Sequence, residues 1–272
     1  MIILAFSNDS KTGIYGLLGY RIRYSLSPEI HNHIFRKFGI KAVYGLFDVP
    51  QQDFSTAMDT LIQYASGFNV TTPYKENAAK LLQELSPEAS LTGSVNLVKN
   101  NRGYNTDYLA LQELVSRQDL DLAGKECTIF GSGGAARTAS YLFGNMKMYV
   151  TIINRSLEKA QKLENDLTRS GIDAQSATLN TEISKETMES EVFVNCISYP
   201  EFMYPGMRSK LAVDFNYASR SGNFRNRFTG ETAFITGEDI LASQAIHSQR
   251  IWNNIEAEFT EILEVIDVKH NG

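Results

Sequence analysis

Residues 127–143, CTIFGSGGAARTASYLF, run from a short apolar segment through a glycine-rich turn into a helical segment. The turn, Gly131-Ser132-Gly133-Gly134-Ala135-Ala136, keeps the spacing G-x-G-x-x-A between a predicted strand and a predicted helix. Such a turn lets the backbone approach a pyrophosphate and directs the N–H groups of the helix N-terminus towards it. The pattern predicts a dinucleotide-binding unit. The alternative is a tight strand–helix turn that binds nothing.

The end of the next predicted strand, MYVTIINRS, bears on the choice of dinucleotide. Units selective for NAD usually carry Asp or Glu there, which binds the ribose 2′-hydroxyl. Asn154-Arg155-Ser156 stands in that place, with Lys159 one turn further on. The guanidinium of Arg155 suits a 2′-phosphate, and Ser156 and Lys159 add a hydroxyl and a charge. We expect NADP as the cofactor. The alternative is that Ser156 only caps the following helix while both cations are solvated.

Short β-branched runs alternate with helical stretches along the chain. The segment SPEIHNHIFRKFG is typical of a helix with Ser27 as N-cap, Pro28 in the first position and Gly39 as the stop. This alternation predicts an α/β protein with mainly parallel strands. The predicted strands are IYGLLG, AVYGLFDV, GFNV, KECTIF, YVTIIN, EVFVNCIS, KLAVDFNY and TAFIT.

A polar cluster, NNRGYNTDY, separates the two sets of strands and predicts a domain boundary near residues 101–110. We expect two domains. The first is an α/β substrate-binding and catalytic domain of residues 1–106 and 241–272, to which the C-terminal helices return. The second is a Rossmann-type NADP-binding domain of residues 107–240.

Composition excludes several classes of function. The net charge of −5 and the lack of a basic run argue against nucleic acid as a partner. The start, MIILAF, lacks the basic flank of a signal peptide, and no apolar run reaches the ~20 residues of a membrane helix. Cys127 and Cys196 read as buried strand positions, which favours reduced thiols in the cytoplasm. The histidines form no metal-ligand set, so no metal is expected. His31 and His33 read as partly exposed helix residues.

Lys75, in the stretch GFNVTTPYKENAAKLL, conflicts with the helix signals around it. Thr72 suits an N-cap and Pro73 the first helical position, which places Lys75 third. An acidic side chain is favoured there, because the helix N-terminus is a positive pole. Lys75 is therefore either a solvated side chain that hardly feels the dipole or an ammonium directed at a ligand.

The motifs, taken in order, resemble those of the shikimate dehydrogenases over nearly the whole chain. The glycine turn and Asn154-Arg155-Ser156 are similar to the family's NADP-binding motifs, and Gly237 and Gln244 sit as in its C-terminal motif. The matching substrate-side segments are Ser25-Leu26-Ser27-Pro28-Glu29-Ile30-His31-Asn32, Asn69-Val70-Thr71-Thr72-Pro73-Tyr74-Lys75, Ser94-Val95-Asn96 and Gly103-Tyr104-Asn105-Thr106-Asp107.

The resemblance implies reversible NADP-dependent reduction of 3-dehydroshikimate to shikimate, by a monomer or homodimer. Lys75 and Asp107 would be the catalytic pair, although an isolated Asp107 also reads as a helix N-cap. The helix N-terminus disfavours protonated Lys75 and a nearby Asp107 favours it, and the sequence leaves the outcome open. The resemblance places Ser25 and Ser27 at the substrate carboxylate. It places Thr71, Asn96, Gln244 and Tyr217 elsewhere around the substrate.

Several positions depart from the family pattern. The residues concerned are Arg21 and Tyr24 before the first serine, Leu97, Tyr108, Ile240, the segment Asn195-Cys196-Ile197-Ser198, and ASRSGNFRN after Tyr217. They leave open a preference for quinate or a related polyol carboxylate. Two further alternatives are a folate-type dehydrogenase, which would give the paired serines no role, and a non-catalytic paralogue that binds nucleotide or substrate.

Overall fold

The fold is that of a computed structural model, which describes residues 12–178, 188–197, 204–217 and 223–270. Within this part, the residues up to Thr106 and those from Ala245 onward form one compact unit, and Asp107–Gln244 form a second. The MIILAF segment, Ser198 and the first residues of ASRSGNFRN lie outside the described residues.

Helices accompany the strands in both units, as the alternating pattern predicts. The α/β class is confirmed. The helices are α1 (Ser27–Lys37), α2 (Phe54–Tyr64), α3 (Lys75–Leu81), α4 (Pro87–Thr92), α5 (Thr106–Ser116), α6 (Gly134–Asn145), α7 (Leu157–Arg169), α8 (Gly237–Asn253) and α9 (Phe259–His270). Helices α5 and α8 each contain residues of both units.

A mixed sheet forms the core of the first unit. Its strands are β1 (Gly13–Gly19), β2 (Ala42–Asp48), β3 (Gly67–Val70), β4 (Glu84–Leu85), β5 (Leu97–Lys99) and β6 (Arg102–Tyr104). They lie in the order β2-β1-β3-β5-β6-β4. The pairs β1–β2, β1–β3 and β4–β6 are parallel, whereas β5 pairs antiparallel with β3 and β6.

Both faces of this sheet are buried. Side chains of β1 alternate between the two faces and enter a different apolar cluster on each. Leu18 joins Phe68 and Tyr74 in one apolar cluster. Tyr15 belongs to a second cluster that includes Trp252. Burial of each such side chain stabilises the fold by roughly 1.5–3 kcal/mol.

The helix starts differ from the predicted ones at the two segments that matter most for function. Ser27 is the first residue of α1 and not its N-cap; its N–H donates to Ser25 Oγ at 3.3 Å. Helix α3 begins at Lys75 itself, since Tyr74 N–H donates to the Thr71 carbonyl at 2.9 Å and closes a turn where a cap at Thr72 was expected. Gly39 ends α1 as predicted, with φ of +66°.

A fully parallel sheet forms the core of the second unit. Its strands are β7 (Glu126–Phe130), β8 (Tyr149–Asn154), β9 (Ala174–Thr178), β11 (Val192–Asn195), β13 (Leu211–Asp214) and β14 (Ala233–Ile235); β10 (Met188–Glu189) and β12 (Met207–Arg208) pair separately. The order is β14-β13-β11-β7-β8-β9. The strand order reverses between β7 and β11, where such sheets bind ligands beyond the carboxyl ends of their strands.

Strand β11 ends at Asn195, one residue before Cys196. Cys196 is therefore a partly exposed loop residue and not a buried strand position, while Cys127 is buried as expected. Strand β9, AQSAT, was not predicted, because its residues are small and polar and lack a β-branched run. Among the described residues, none of the helices combines the length and the apolar character that a bilayer crossing needs.

Gly67 offers a test of the first core. A Cβ at this position would lie 2.4 Å from Trp252 Nε1, which donates to the Val98 carbonyl at 3.2 Å. Gly67→Ala should lower the free energy of unfolding by about 1–3 kcal/mol, the usual effect of overpacking. Urea unfolding followed by the fluorescence of Trp252, the single tryptophan, measures it.

Gly45→Ala in β2 is the matched control, because a Cβ there meets no atom within 4 Å. It should change stability by no more than a few tenths of a kcal/mol, or raise it slightly. Equal destabilisation by the two substitutions would contradict the close packing of Gly67 on Trp252.

Candidate active site

The glycine turn after β7 has the geometry of an anion site. Gly131 has φ of +114°, a conformation that favours glycine. A Cβ there would also make a tight contact of 3.2 Å with the Cβ of Cys196. A Cβ at Gly133 would meet nothing within 4 Å, which leaves its backbone open to a ligand. Helix α6 begins at Gly134, and its first N–H groups and positive pole suit a diphosphate.

The segment after β8 carries two cations and a hydroxyl, and β8 pairs with β7, the strand that leads into the glycine turn. Arg155 and Lys159 are exposed and Ser156 is half-buried. Ser156 Oγ caps α7 by accepting from Lys159 N–H at 3.4 Å, so its capping role is real. A hydroxyl that accepts retains its hydrogen for donation, and capping does not exclude a bond to phosphate. Asn154 Nδ2 donates to the Ser156 carbonyl at 3.1 Å and orders the turn.

Arg137, which no sequence motif assigns a role, ties α6 to α7. Its Nη1 lies 2.7 Å from Asp166 Oδ2, and its guanidinium carbon lies 5.4 Å from the centroid of the Tyr141 ring. The bond holds the helix that follows the glycine turn against the helix that follows Asn154.

The paired serines of the first unit are buried and face each other. Ser25 Oγ donates to Ser27 Oγ at 3.1 Å, and both residues are less than a tenth exposed. Two adjacent hydroxyls of this kind suit a carboxylate. Thr71 lies half-buried just before the Tyr74 turn, with its N–H bonded to the Leu18 carbonyl at 2.9 Å.

Asn96 connects the segment of Lys75 to that of Asp107. Its Oδ1 accepts from Thr106 N–H at 2.7 Å, and its Nδ2 donates to Thr106 Oγ1 at 2.9 Å. The preceding residue, Val95, donates its N–H to the Lys75 carbonyl at 3.0 Å. Lys75 is half-buried at the first position of α3.

Asp107 directly follows Thr106 and is 7% exposed. Because α5 already begins at Thr106, Asp107 lies in the first helical turn and is not its N-cap. The capping interpretation is therefore wrong. The unfavourable environment of a buried carboxylate is partly offset by the positive pole of α5.

Polar residues without a predicted role hold this region together. Asn69 accepts from Tyr44 Oη at 2.8 Å and donates to the Asn96 carbonyl at 3.0 Å. Asn105 Nδ2 donates to Thr92 Oγ1 at 3.0 Å. Asn69 and Asn105 stand inside the quoted motifs, but sequence alone does not distinguish a supporting amide from one that binds substrate.

His31 is completely buried, which overturns the expectation of partial exposure. Its ring stacks on Tyr44 with centroids 4.4 Å apart, and its Nδ1 lies 2.8 Å from Gln249 Nε2. Burial lowers the pKa of His31 to about 3, so the ring is neutral. His33 is half-buried and lies 2.8 Å from Glu261.

The remaining predicted residues lie in the second unit. Gln244 is buried in α8, and its Nε2 donates to the Leu241 carbonyl at 3.0 Å. Tyr217 is half-buried after β13. Gly237 begins α8, and a Cβ there would lie 2.3 Å from the Asn216 carbonyl oxygen, so this glycine permits close packing on the residues before Tyr217. Among the described residues, no group of His, Cys, Asp and Glu is arranged to hold a metal ion.

Comparison with known proteins decides the family. The model of the shikimate dehydrogenase substrate binding domain matches residues 17–98, and that of shikimate / quinate 5-dehydrogenase matches residues 111–213. A shikimate dehydrogenase (NADP(+)) of Sulfolobus acidocaldarius is 38% identical over 253 residues, which cover 92% of each chain. The chain belongs to the shikimate dehydrogenase family. The resemblance carried by the motifs is confirmed.

Solved structures of the shikimate dehydrogenase family agree with this assignment. A chorismate mutase/shikimate 5-dehydrogenase fusion protein from Clostridium acetobutylicum is 30% identical, with a TM-score of 0.77 over 97% of this chain and 100% of that one. A shikimate 5-dehydrogenase of Listeria monocytogenes, in complex with shikimate and NAD, is 25% identical. Its TM-score is 0.76 over 96% of this chain and 99% of that one.

The burial of His31 predicts a pH dependence of stability. The pKa is about 3 in the folded protein and 6.5 ordinarily. Below pH 6.5 the unfolded chain therefore takes up a proton that the folded chain refuses, and stability falls as pH falls. The loss approaches ~1.4 kcal/mol per pH unit.

His31→Phe retains a ring against Tyr44 and cannot titrate. Urea unfolding at about pH 7 and about pH 5 should show a larger loss of stability in the wild type than in this variant. Parallel curves for the two proteins would contradict the neutral, buried state of His31.

Proposed function

We propose that the protein catalyses the NADP-dependent, reversible reduction of 3-dehydroshikimate to shikimate, a step of the shikimate pathway to chorismate and the aromatic amino acids. One observation of the site carries the proposal in a chain of this family. The glycine turn at the N-terminus of α6 lies next to β8, which ends at Asn154 and is followed directly by Arg155, where NAD-selective units carry an acid.

The residues of the second unit fit NADP. The diphosphate binds at Gly131, Ser132, Gly133, Gly134 and Ala135, where the helix N-terminus supplies N–H donors. The adenosine 2′-phosphate is held by Asn154, Arg155, Ser156 and Lys159. We also assign Gly237 to the cofactor site. When bound, NADP supplies the hydride acceptor and NADPH the donor.

The residues that we assign to the substrate are Ser25, Ser27, Thr71 and Asn96 of the first unit and Gln244 and Tyr217 of the second. Ser25 and Ser27 bind the carboxylate. Thr71, Asn96, Gln244 and Tyr217 contact the rest of the substrate. A small anionic polyol needs many short donors and acceptors, and these side chains supply them.

Lys75 and Asp107 manage the proton. Oxidation of the substrate hydroxyl releases a proton together with the hydride, and a group within hydrogen-bond reach must accept it. We assign this role to Lys75 Nζ, with Asp107 as its acid–base partner. The bonds from Val95 N–H to the Lys75 carbonyl and from Thr106 N–H to Asn96 Oδ1 support the assignment, because they order both backbone segments.

Quinate is the second candidate substrate, because one matching family model describes both shikimate and quinate dehydrogenases. The deciding assay tests shikimate and quinate, each with NADP and with NAD, and follows the absorbance of the reduced nicotinamide, NADPH or NADH. A shikimate preference supports the proposal. If none of the four substrate–cofactor pairs shows turnover, the enzymatic function is rejected in favour of a non-catalytic, ligand-binding paralogue. A monomer or homodimer in the cytoplasm remains our expectation for its state and location.

Lys75→Ala should lower kcat by roughly a hundredfold or more, since a positioned acid–base group contributes that much. Lys80→Ala is the matched control, because Lys80 is exposed in the last turn of the same helix. Steady-state kinetics in both directions measure the effect. An unchanged kcat in Lys75→Ala would show that the proton is handled elsewhere.

Arg155→Asp should raise the KM for NADP by about tenfold to a hundredfold and leave the KM for NAD nearly unchanged, since only NADP carries the 2′-phosphate. Lys162→Asp, on the exposed face of α7, makes the same change of charge away from the strand end. Equal effects on the two cofactors would contradict the role of Arg155.

A further inference from the structure

A buried carboxylate stands at the carboxyl edge of the second sheet, outside the residues that the family motifs single out. Asp214 is the last residue of β13 and lies in register with Asn195, the last residue of β11. Its exposure is 0%. Burial of an ionisable group at such an edge calls for a reason, because it disfavours the charged form.

One oxygen of Asp214 collects three hydrogen bonds. Oδ1 accepts from Asn195 Nδ2 at 2.9 Å, from Asn216 N–H at 3.0 Å and from Asn216 Nδ2 at 3.2 Å. The other oxygen, Oδ2, lies 3.8 Å from Arg225 Nε and has no hydrogen-bond partner among the described residues.

Both asparagines pass this order on to the loop after β11. Asn195 Oδ1 accepts from Ile197 N–H at 3.0 Å and from Tyr204 Oη at 2.6 Å. Asn216 Nδ2 donates to the Ile197 carbonyl at 2.9 Å. The backbone of Ile197 is thus held on both sides by side chains that bond Asp214.

The same frame supports the glycine turn and the residues before Tyr217. Cys196 N–H donates to the Phe130 carbonyl at 2.8 Å, directly before Gly131. Gly237 packs on the carbonyl of Asn216 and on the N–H of Tyr217. A change at Asp214 is therefore felt by the cofactor turn and by the proposed substrate contact.

We propose that Asp214 is a positioning residue for the reaction. Its ionised carboxylate orders the loop of Cys196 and Ile197 and the turn of Asn216 and Tyr217, and its protonation loosens both. The role of the turn in catalysis rests on the proposed function of Tyr217.

The surroundings of Asp214 set the pH at which this happens. Burial raises the pKa of Asp214 to about 6, against the opposing effects of Asn216, Asn195 and Arg225. Arg225 also lies 3.3 Å from Glu238 on α8. Among residues 188–197, 204–217 and 223–270, the other titratable groups that face this site are Tyr204, whose pKa is raised by burial, and Cys196.

Ionisation strengthens the three bonds at the expense of stability. Hydrogen bonds to a charged acceptor are stronger than bonds to a neutral one, so all three weaken together on protonation. Because the folded pKa of about 6 exceeds the ordinary 3.8, the stability due to Asp214 is lost as pH rises through this range. The site is best ordered in the form that burial disfavours.

Asp214→Asn tests the proposal, because its amide oxygen accepts the same bonds but never ionises. At about pH 8 its kcat/KM for shikimate should be about tenfold below the wild type, as charged bonds become neutral ones. Its urea midpoint should be no lower than that of the wild type. At about pH 5 the ratio of wild-type to variant kcat/KM should approach one, because wild-type Asp214 is then protonated too. Asp173→Asn, at an exposed position before β9, should match the wild type throughout.

Dividing the kcat/KM of the wild type by that of the variant at each pH cancels the effects of the other titrating groups. A ratio that stays constant with pH would overturn the proposal, because a merely structural role predicts no convergence. If Asp214→Asn does not fold, Arg225→Gln decides. Without this half-exposed guanidinium, the pKa of Asp214 rises. The acid limb of the kcat/KM–pH profile of Arg225→Gln should therefore lie roughly one pH unit higher than that of the wild type. An unmoved limb would also overturn the proposal.

A failure of the proposed function is distinguishable from a failure of this inference. If the wild type turns over no shikimate, the function fails. NADPH affinity, measured by calorimetry across the same pH range, then tests Asp214 through the glycine turn alone. Convergence of the wild-type and Asp214→Asn affinities at acid pH supports the inference, and a constant ratio rejects it.

Discussion

Asn96 uses nearly every polar group it has, and the segments of Asn69, Tyr104 and Thr106 are joined through it. Its N–H donates to the Tyr104 carbonyl at 3.0 Å, and its carbonyl accepts from Val70 N–H at 2.9 Å and from Asn69 Nδ2 at 3.0 Å. Its side chain bonds Thr106 at the start of α5. A buried amide that left any of these unmade would cost about 1–3 kcal/mol for each group, so the arrangement is held as a whole.

The second unit achieves a comparable order with a charge. Where Asn96 joins segments through neutral amides, Asp214 gathers the amides of Asn195 and Asn216 on one carboxylate oxygen. Neutral networks are insensitive to pH over the ordinary range, whereas a buried carboxylate adds a titration to the order it creates. The two units thus differ in how their strand ends are kept in place.

Much of this could be predicted because local chemistry demands particular residues. The glycine turn, the cap at Ser156 and the stop at Gly39 each follow from a backbone need that few residues meet. Two of the predictions that failed depended on partners distant in sequence. His31 is buried because Tyr44 and Gln249 cover it, and Asp107 is not a cap because Asn96 bonds Thr106 and α5 starts at Thr106, two residues before the first position that a cap at Asp107 would give.

The sequence by itself determined the α/β class, the family, the dinucleotide turn and the replacement of an acid by Arg155 at the end of β8. These are encoded in short patterns, where neighbouring residues alone satisfy the geometry. Only the tertiary structure decided that His31 is buried and neutral and that Asp214 accepts hydrogen bonds from Asn195 and Asn216. Burial and the pairing of polar groups arise from residues far apart in the chain, and no local pattern records them.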